Sequence, residues 1–288
     1  MKKYLKLMRV KHYVKNGLVT LPIMFSGQLQ NVDLLLKTLL GIIAFSLISS
    51  AIYIINDIKD AEKDRIHPTK CKRPIASGAI SVKAAWILAA LLILLSGVIN
   101  FLACGLNVMA WLFVGLYFAL NLAYSMGLKS VPVTDIAILA SGFLFRVLYG
   151  SAITDIEVSK WLYLTVIAMS FYLGLGKRRN EIMKQSDGTT RKVLKFYNYN
   201  FLDKNMYMCL ALTIVFYSLW SVDSLTVARL GVENLVWTVP LVILICMKYS
   251  LIVEGNSDGD PVEVIFNDKV LLGLILIFGV ITIGIIYF

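Results

Sequence analysis

Asn56-Asp57-Ile58-Lys59-Asp60-Ala61-Glu62-Lys63-Asp64 follows without a break on an apolar run, Leu39 to Ile55, that reads as a membrane-spanning helix. On a helix, Asn56, Asp60 and Asp64 fall at i, i+4 and i+8, and Asp57 leans to the same side through its three-residue step to Asp60. Carboxylates stacked on one face repel one another unless something positive lies between them. A hard divalent cation such as Mg²⁺ meets that need, because it takes oxygen ligands and bridges to substrate phosphates. The plain alternative is a solvated charge run that ends a helix. Acids at a bilayer boundary, followed within a few positions by bases suited to phosphate, favour the functional reading.

The composition agrees with a membrane setting. Of 288 residues, 58% are hydrophobic and only 16% charged, and the mean hydropathy is +0.76. A soluble domain of this length does not carry so much apolar content. The net charge of +10 would point to nucleic acid in a soluble chain; here it reflects loops rich in Lys and Arg, and no nucleic-acid partner is expected. Cys71, Cys104, Cys209 and Cys246 are scattered, and His12 and His67 are far apart, so neither a disulfide framework nor a zinc site is expected. The basic start at Lys2-Lys3 and the apolar run after Lys15 superficially resemble a signal peptide. No small-x-small cleavage site follows, so a retained first helix is expected.

Hydropathy predicts an all-α integral membrane protein with nine spans near 14–29, 34–56, 83–102, 106–124, 131–150, 160–176, 205–221, 234–251 and 269–287. No soluble domain is inserted, so residues 1–288 read as a single transmembrane domain. With the N-terminus inside, the outer segments keep only Lys37, Lys160 and Arg229, and Arg146 lies within a span. That bias predicts a cytoplasmic N-terminus, an external C-terminus and a cytoplasmic acidic stretch.

Four further stretches could carry chemistry. His67-Pro68-Thr69-Lys70-Cys71-Lys72-Arg73-Pro74 is held out of helix by its prolines, with bases that could clamp a diphosphate or touch lipid headgroups. Asp135 and Arg146 share a face of one span; Arg146 could be a strut paired with an acid or a contact for an anionic substrate. Lys129 and Asp135 lie near enough to the interface for solvation alone to explain them. Gly176-Lys177-Arg178-Arg179-Asn180-Glu181 ends a span with bases that bind anions or complement the helix dipole. Glu254 to Glu263 reads as a connector, with Asp258-x-Asp260 only a faint echo of a calcium loop.

In order along the chain, the residues resemble the UbiA-type membrane prenyltransferases. The pieces are Lys11-x-x-x-Lys15-Asn16, Asn56 through Asp64, His67-Pro68-Thr69-Lys70 with Arg73-Pro74, and Tyr124-Ser125-x-Gly127-Leu128-Lys129. Asp135 with Ser141-Gly142-Phe143-Leu144-x-Arg146, Gly176-Lys177-Arg178 with Glu181, and Gly259-x-Pro261-x-Glu263 with Asp268 complete the set. That family has nine transmembrane helices around a central cavity with Mg²⁺ at its cytoplasmic mouth. Where aromatic prenyltransferases carry a second aspartate-rich motif, this chain has Gly-Lys-Arg-Arg-Asn-Glu, which resembles the decaprenyl-phosphate phosphoribosyltransferase branch. A sugar 5-phosphate asks for cations there in place of carboxylates.

The resemblance implies a plasma-membrane phosphoribosyltransferase that uses phosphoribosyl diphosphate (PRPP) and a polyprenyl phosphate, releasing diphosphate, with Mg²⁺ as cofactor. It implies catalytic roles for Asp57, Asp60 and Asp64, with Asn56, Asp57, Asp60 and Asp64 as metal ligands. Substrate contacts are expected from Lys15, Asn16, Lys70, Arg73, Lys129, Asp135, Arg146, Lys177, Arg178, Glu181 and Tyr197. A homo-oligomer is compatible with such a chain. The alternatives are transfer of a prenyl group to an aromatic acceptor and, from another class, a transporter; the sequence shows neither the inverted repeats nor the broken midplane helices usual in transporters.

Overall fold

A computed structural model describes residues 2–183, 192–255, 257 and 259–288 of the chain; Asp258 of the connector lies outside them. The described residues are helical, with no strand. In order they form α1 (Lys2–Met8), a 3₁₀ segment (Val10–Thr20), α2 (Leu21–Met24), α3 (Val32–Arg65), α4 (Val82–Cys104), α5 (Val108–Met126) and α6 (Thr134–Thr154). Then follow α7 (Lys160–Met183), α8 (Tyr199–Val222), α9 (Ser224–Leu230), α10 (Val239–Glu254), α11 (Pro261–Asn267) and α12 (Lys269–Tyr287).

Among the described residues seven helices are long and apolar enough to span a membrane. The expected count of nine is not reached by that measure, for two reasons. The first expected span, 14–29, is a 3₁₀ segment followed by a four-residue helix. Pro22 has no N–H to continue a ladder and is tolerated only in a first turn, where it opens α2. The span expected at 160–176 does form as α7, but it is not among the seven and runs on through its charged end to Met183.

The polar residues at the breaks start the helices. Asn31 accepts from the N–H of Asp33 and Leu34 at α3, Ser81 from Ala84 at α4, Asn107 from Ala110 at α5, and Asp268 from Leu271 at α12. Each supplies an oxygen to donors the helix leaves unpaired. At 34 residues and 1.5 Å per residue, α3 is roughly 50 Å long, well beyond a hydrocarbon core of about 30 Å. The excess carries Asn56 to Asp64.

The chain divides into two compact units: 1–21, 30–131 and 145–155, and 22–29, 132–144 and 156–288. In the first unit α3 is the inner helix, with two thirds of its apolar window buried, while most of α4 and α5 is left for lipid. Val19, Phe45, Ile48, Tyr117 and Tyr149 form one of its cores. The second unit packs Tyr172, Leu175, Leu202, Met206, Tyr249 and Val253 into its largest core.

One close approach sets the geometry of the first unit. A Cβ added to Gly150 would lie 2.2 Å from the carbonyl oxygen of Val19, so α6 meets the 3₁₀ segment backbone to backbone. Gly150→Ala is expected to cost about 1–3 kcal/mol through overpacking, seen as a lower melting temperature in detergent. Gly115→Ala, where no atom lies within 4 Å of the added carbon, should be neutral; equal melting temperatures for both variants would contradict the contact.

Candidate functional site

At the end of α3 the acids split between two directions. At 100° per residue, Asp57 and Asp64 lie only about 20° apart, while Asn56 and Asp60 lie about 40° apart on the neighbouring side. Asp57 and Asp64 turn inward and are buried. Nη1 of Arg73 bridges them, at 3.1 Å from Asp57 Oδ1 and 2.7 Å from Asp64 Oδ2. Nη2 of Arg9 reaches Asp57 Oδ1 at 2.6 Å, and its guanidinium lies 4.7 Å from the centre of the Tyr53 ring. Asn56 and Asp60 turn toward the end of α5. There Ser125 Oγ donates to Asn56 Oδ1 at 3.0 Å, and Lys129 Nζ donates to both oxygens of Asp60, at 2.8 and 2.9 Å.

The loop that delivers Arg73 is fixed by its own backbone and by α1. Arg73 N–H donates to Lys70 O, and Ser77 N–H to Arg73 O. Lys6 Nζ donates to Lys72 O at 3.1 Å, and Lys3 Nζ to Ala79 O at 3.0 Å. His67 Nδ1 accepts from the N–H groups of Thr69 and Lys70, at 3.2 and 3.3 Å. Slight burial and the nearby Lys70 cation hold the imidazole below its ordinary pKa, which keeps that nitrogen an acceptor.

The bases therefore supply the positive charge that the stacked acids require. Among the described residues no group of three or more His, Cys, Asp or Glu could hold a metal ion. Asn56 Oδ1 and the Asp60 carboxylate are nevertheless hard oxygen donors one turn apart, engaged by a hydroxyl and an ammonium at a part-exposed rim. Such a pair fits Mg²⁺, which keeps several waters and takes the rest of its shell from phosphate.

Further along the first unit lies a second polar cluster. Asn16 Nδ2 donates to Ser46 Oγ at 2.8 Å, Arg146 Nε to Asn16 Oδ1 at 2.8 Å, and Arg146 Nη2 to Tyr117 OH at 3.1 Å. The guanidinium lies 5.0 Å from the ring centres of both Phe45 and Tyr117. Neutral oxygens and aromatic faces thus hold a buried cation within a span. Lys15, half-buried, precedes Asn16 in the 3₁₀ segment.

In the second unit the basic run 177–179, about a turn before the end of α7, meets a different acid at each residue. Lys177 Nζ lies 3.6 Å from Asp260 Oδ2. Arg178, fully buried, donates from Nε to Asp135 Oδ2 at 2.5 Å and from Nη1 to Glu181 Oε2 at 2.7 Å. Arg179 Nε lies 2.8 Å from Asp203 Oδ1, poorly aimed for a hydrogen bond, and its guanidinium packs on and donates to Tyr199. Tyr197 OH donates to Asp135 Oδ1 at 2.6 Å and accepts from Val133 N–H at 2.6 Å. Burial and the bond to Asp135 push its phenol up to about 12, so it stays a donor. Val133 has φ +65°, a strained region for a β-branched residue; the Tyr197 hydroxyl pins it there.

Twelve of the fifteen expected site residues, all but Lys15, Lys70 and Lys177, fall into three clusters. Asn56, Asp57, Asp60, Asp64, Arg73 and Lys129 meet at the end of α3; Asn16 and Arg146 meet within the spans; Asp135, Arg178, Glu181 and Tyr197 meet in the second unit. Sequence reasoning missed Arg9, Ser125 as a hydroxyl donor, Tyr117, Asp203 and Asp260. Arg9 stands 48 positions from Asp57, and no local spacing signals that pairing. The second unit also holds a cavity of about 370 Å³ lined by Val133, Ile136, Phe171, Phe201, Met208 and Leu212 among others, with Asn205 its one amide.

The model of the UbiA prenyltransferase family matches residues 16–266. The decaprenyl-phosphate phosphoribosyltransferase of Corynebacterium glutamicum is 35% identical over 277 residues, covering 94% of this chain and 83% of that one. Its namesake from Mycolicibacterium smegmatis is 33% identical over 286 residues, covering 94% and 88%. A UbiA homolog from Archaeoglobus fulgidus, solved with GPP and Mg²⁺, superposes with a TM-score of 0.72 over 98% of this chain and 99% of that one; at 20% identity the likeness is one of fold. On these matches, this chain belongs to the UbiA prenyltransferase family.

Proposed function

We propose that the chain is a multi-pass membrane phosphoribosyltransferase that moves 5-phosphoribose from PRPP to a polyprenyl phosphate, releasing diphosphate. The observation that carries this reading is its identity, along nearly its whole length, to relatives named decaprenyl-phosphate phosphoribosyltransferase. The basic run in α7 supports it, because Lys177-Arg178-Arg179 stands where the aromatic prenyltransferases carry a second acidic motif.

Asn56 and Asp60 are the residues that would hold Mg²⁺, with Asp57 and Asp64 behind them keeping Arg73 in place. Bound there, the ion would supply Lewis acidity to the diphosphate leaving group. Lys70, Arg73 and Lys129 are the proposed diphosphate contacts, Arg73 with the part of its guanidinium fork that remains exposed. An oxygen of the acceptor phosphate attacks C1 of the ribose as the bond from C1 to the diphosphate oxygen breaks. That acceptor is already an anionic nucleophile, so no general base is needed, and positive charge developing on the ring is stabilised by a nearby carboxylate.

In the second unit, Lys177, whose Nζ lies 3.6 Å from Asp260 Oδ2, is the proposed phosphate contact. Arg178, Asp135, Glu181 and Tyr197 act as a brace for the strained Val133, a role that fits their full set of mutual contacts better than direct binding. Asn16 and Arg146, hydrogen-bonded to each other, to Ser46 and to Tyr117, are proposed to hold the 3₁₀ segment to α6, and Lys15, next to Asn16 in the chain, is the proposed contact for the acceptor phosphate. The lipid tail asks only for apolar surface. The N-terminus and the end of α3 are proposed to face the cytoplasm of a plasma membrane.

Purified chain in detergent with Mg²⁺, PRPP and a polyprenyl phosphate should form a lipid-linked ribose phosphate and release diphosphate. A prenyl diphosphate with an aromatic acceptor should give no product; the reverse outcome would overturn the assignment. Asp60→Ala should lower turnover by at least about a hundredfold while leaving the elution profile intact, and near-normal turnover would remove Asp60 from the chemistry. Arg178→Met strands the buried Asp135, at about 3–5 kcal/mol. Adding Asp135→Asn should recover part of the lost melting temperature; no recovery in the double variant would contradict the brace.

A further inference from the structure

Asp57, Asp60 and Asp64 face Arg9, Arg73 and Lys129, one base for each acid, so the charges of these three carboxylates are matched within the fold. The pairs differ in depth. Asp57 and Asp64 are nearly sealed, with side chains 3% and 6% exposed, and share one guanidinium. Asp60 and Lys129 are 22% and 26% exposed, a wet pair of the kind that is weakly held.

Lys129 is also the base best able to leave. It stands on the 3₁₀ turn Leu128–Ser130, entered through Gly127 at φ +151° and closed by Ser130 N–H on Gly127 O at 2.9 Å. The backbone is therefore fixed independently of the side chain. A lysine ammonium is a compact charge on a flexible stem with three rotatable donors. It can turn from a carboxylate to a phosphate without moving the chain.

We infer that Lys129 is a resident counter-ion on Asp60 that Mg²⁺ must displace, so that the metal is retained only together with a diphosphate that takes the displaced ammonium. The inference rests on the metal and diphosphate roles proposed above and deepens them. Mg²⁺ alone would add two positive charges to a half-buried cluster whose acids are already matched. A diphosphate arriving with the metal offsets that added charge and gives Lys129 a new anion. Lys129 is thus a positioning residue that couples metal binding to donor binding.

The test uses the full chain in detergent, with Mn²⁺ as a paramagnetic stand-in for Mg²⁺ followed by EPR, and radiolabelled inorganic diphosphate as the anion. The unaltered chain should bind Mn²⁺ alone weakly. Lys129→Met should bind Mn²⁺ alone about tenfold more tightly and, at saturating Mn²⁺, retain diphosphate about tenfold less tightly. Lys129→Arg, which keeps the ion pair, should resemble the unaltered chain in both. Opposite signs in one variant are not what misfolding produces, since misfolding weakens both. Unchanged or weaker Mn²⁺ binding in Lys129→Met would overturn the inference, and if that protein's parent makes lipid-linked ribose phosphate the functional reading survives. Absence of Mn²⁺ binding under every condition would overturn both the inference and the metal role. The predicted pair of changes in a chain that makes no ribosyl lipid would uphold the inference and remove only the substrate assignment.

Discussion

Three carboxylates at the end of one long helix cannot be held close together without cations, and the chain supplies those cations from three separate places. Arg9 comes from the junction after α1, Arg73 from the loop after α3, and Lys129 from the turn after α5. Each pairing ties a different segment to the end of α3. The same contacts that neutralise the acids therefore assemble the first unit's polar end. Two acids of the stretch hold arginines, and the pair Asn56 and Asp60, at a part-exposed rim, is the one proposed to take a metal.

The second unit solves a similar problem with the signs reversed. Three consecutive bases stand about a turn before the end of α7, and Asp260, Asp135 with Glu181, and Asp203 meet them one by one. Burying Arg178 and Asp135 completely is tolerable only because both are hydrogen-bonded on more than one side. Arg146 shows a third way to keep a cation inside a span, using an amide oxygen, a phenol and two ring faces. In each case a charge that looks available in the sequence is already committed in the fold.

That commitment marks the boundary of what the sequence could reveal. The helices of α3, α4, α5 and α12 were legible because hydropathy reports directly on burial in lipid and the caps Asn31, Ser81, Asn107 and Asp268 stand in plain sight. The 3₁₀ segment at Val10–Thr20 was not, since an apolar run has the same hydropathy in either helix type. The grouping of Asn56, Asp60 and Asp64 on one face followed from helical period. Its division, with Asp64 turned to Asp57 and Arg73, depends on what packs alongside, and that is set by contacts distant in sequence. Asp260 reads as part of a polar connector until its proximity to Lys177 is seen.

In the reading proposed here, the three acids at the end of α3 stay paired with Arg9, Arg73 and Lys129 until a metal and a diphosphate arrive together and draw Lys129 from Asp60. The most direct measurement is a pair of experimental structures of the full chain in lipid nanodiscs, one metal-free and one with Mg²⁺ and diphosphate. The account predicts Lys129 on Asp60 in the first. In the second it predicts Mg²⁺ on Asn56 and Asp60, Lys129 on a phosphate oxygen, and Arg73 still bridging Asp57 and Asp64. Mg²⁺ seated between Asp57 and Asp64 with Arg73 displaced, or Lys129 unmoved in both structures, would contradict it.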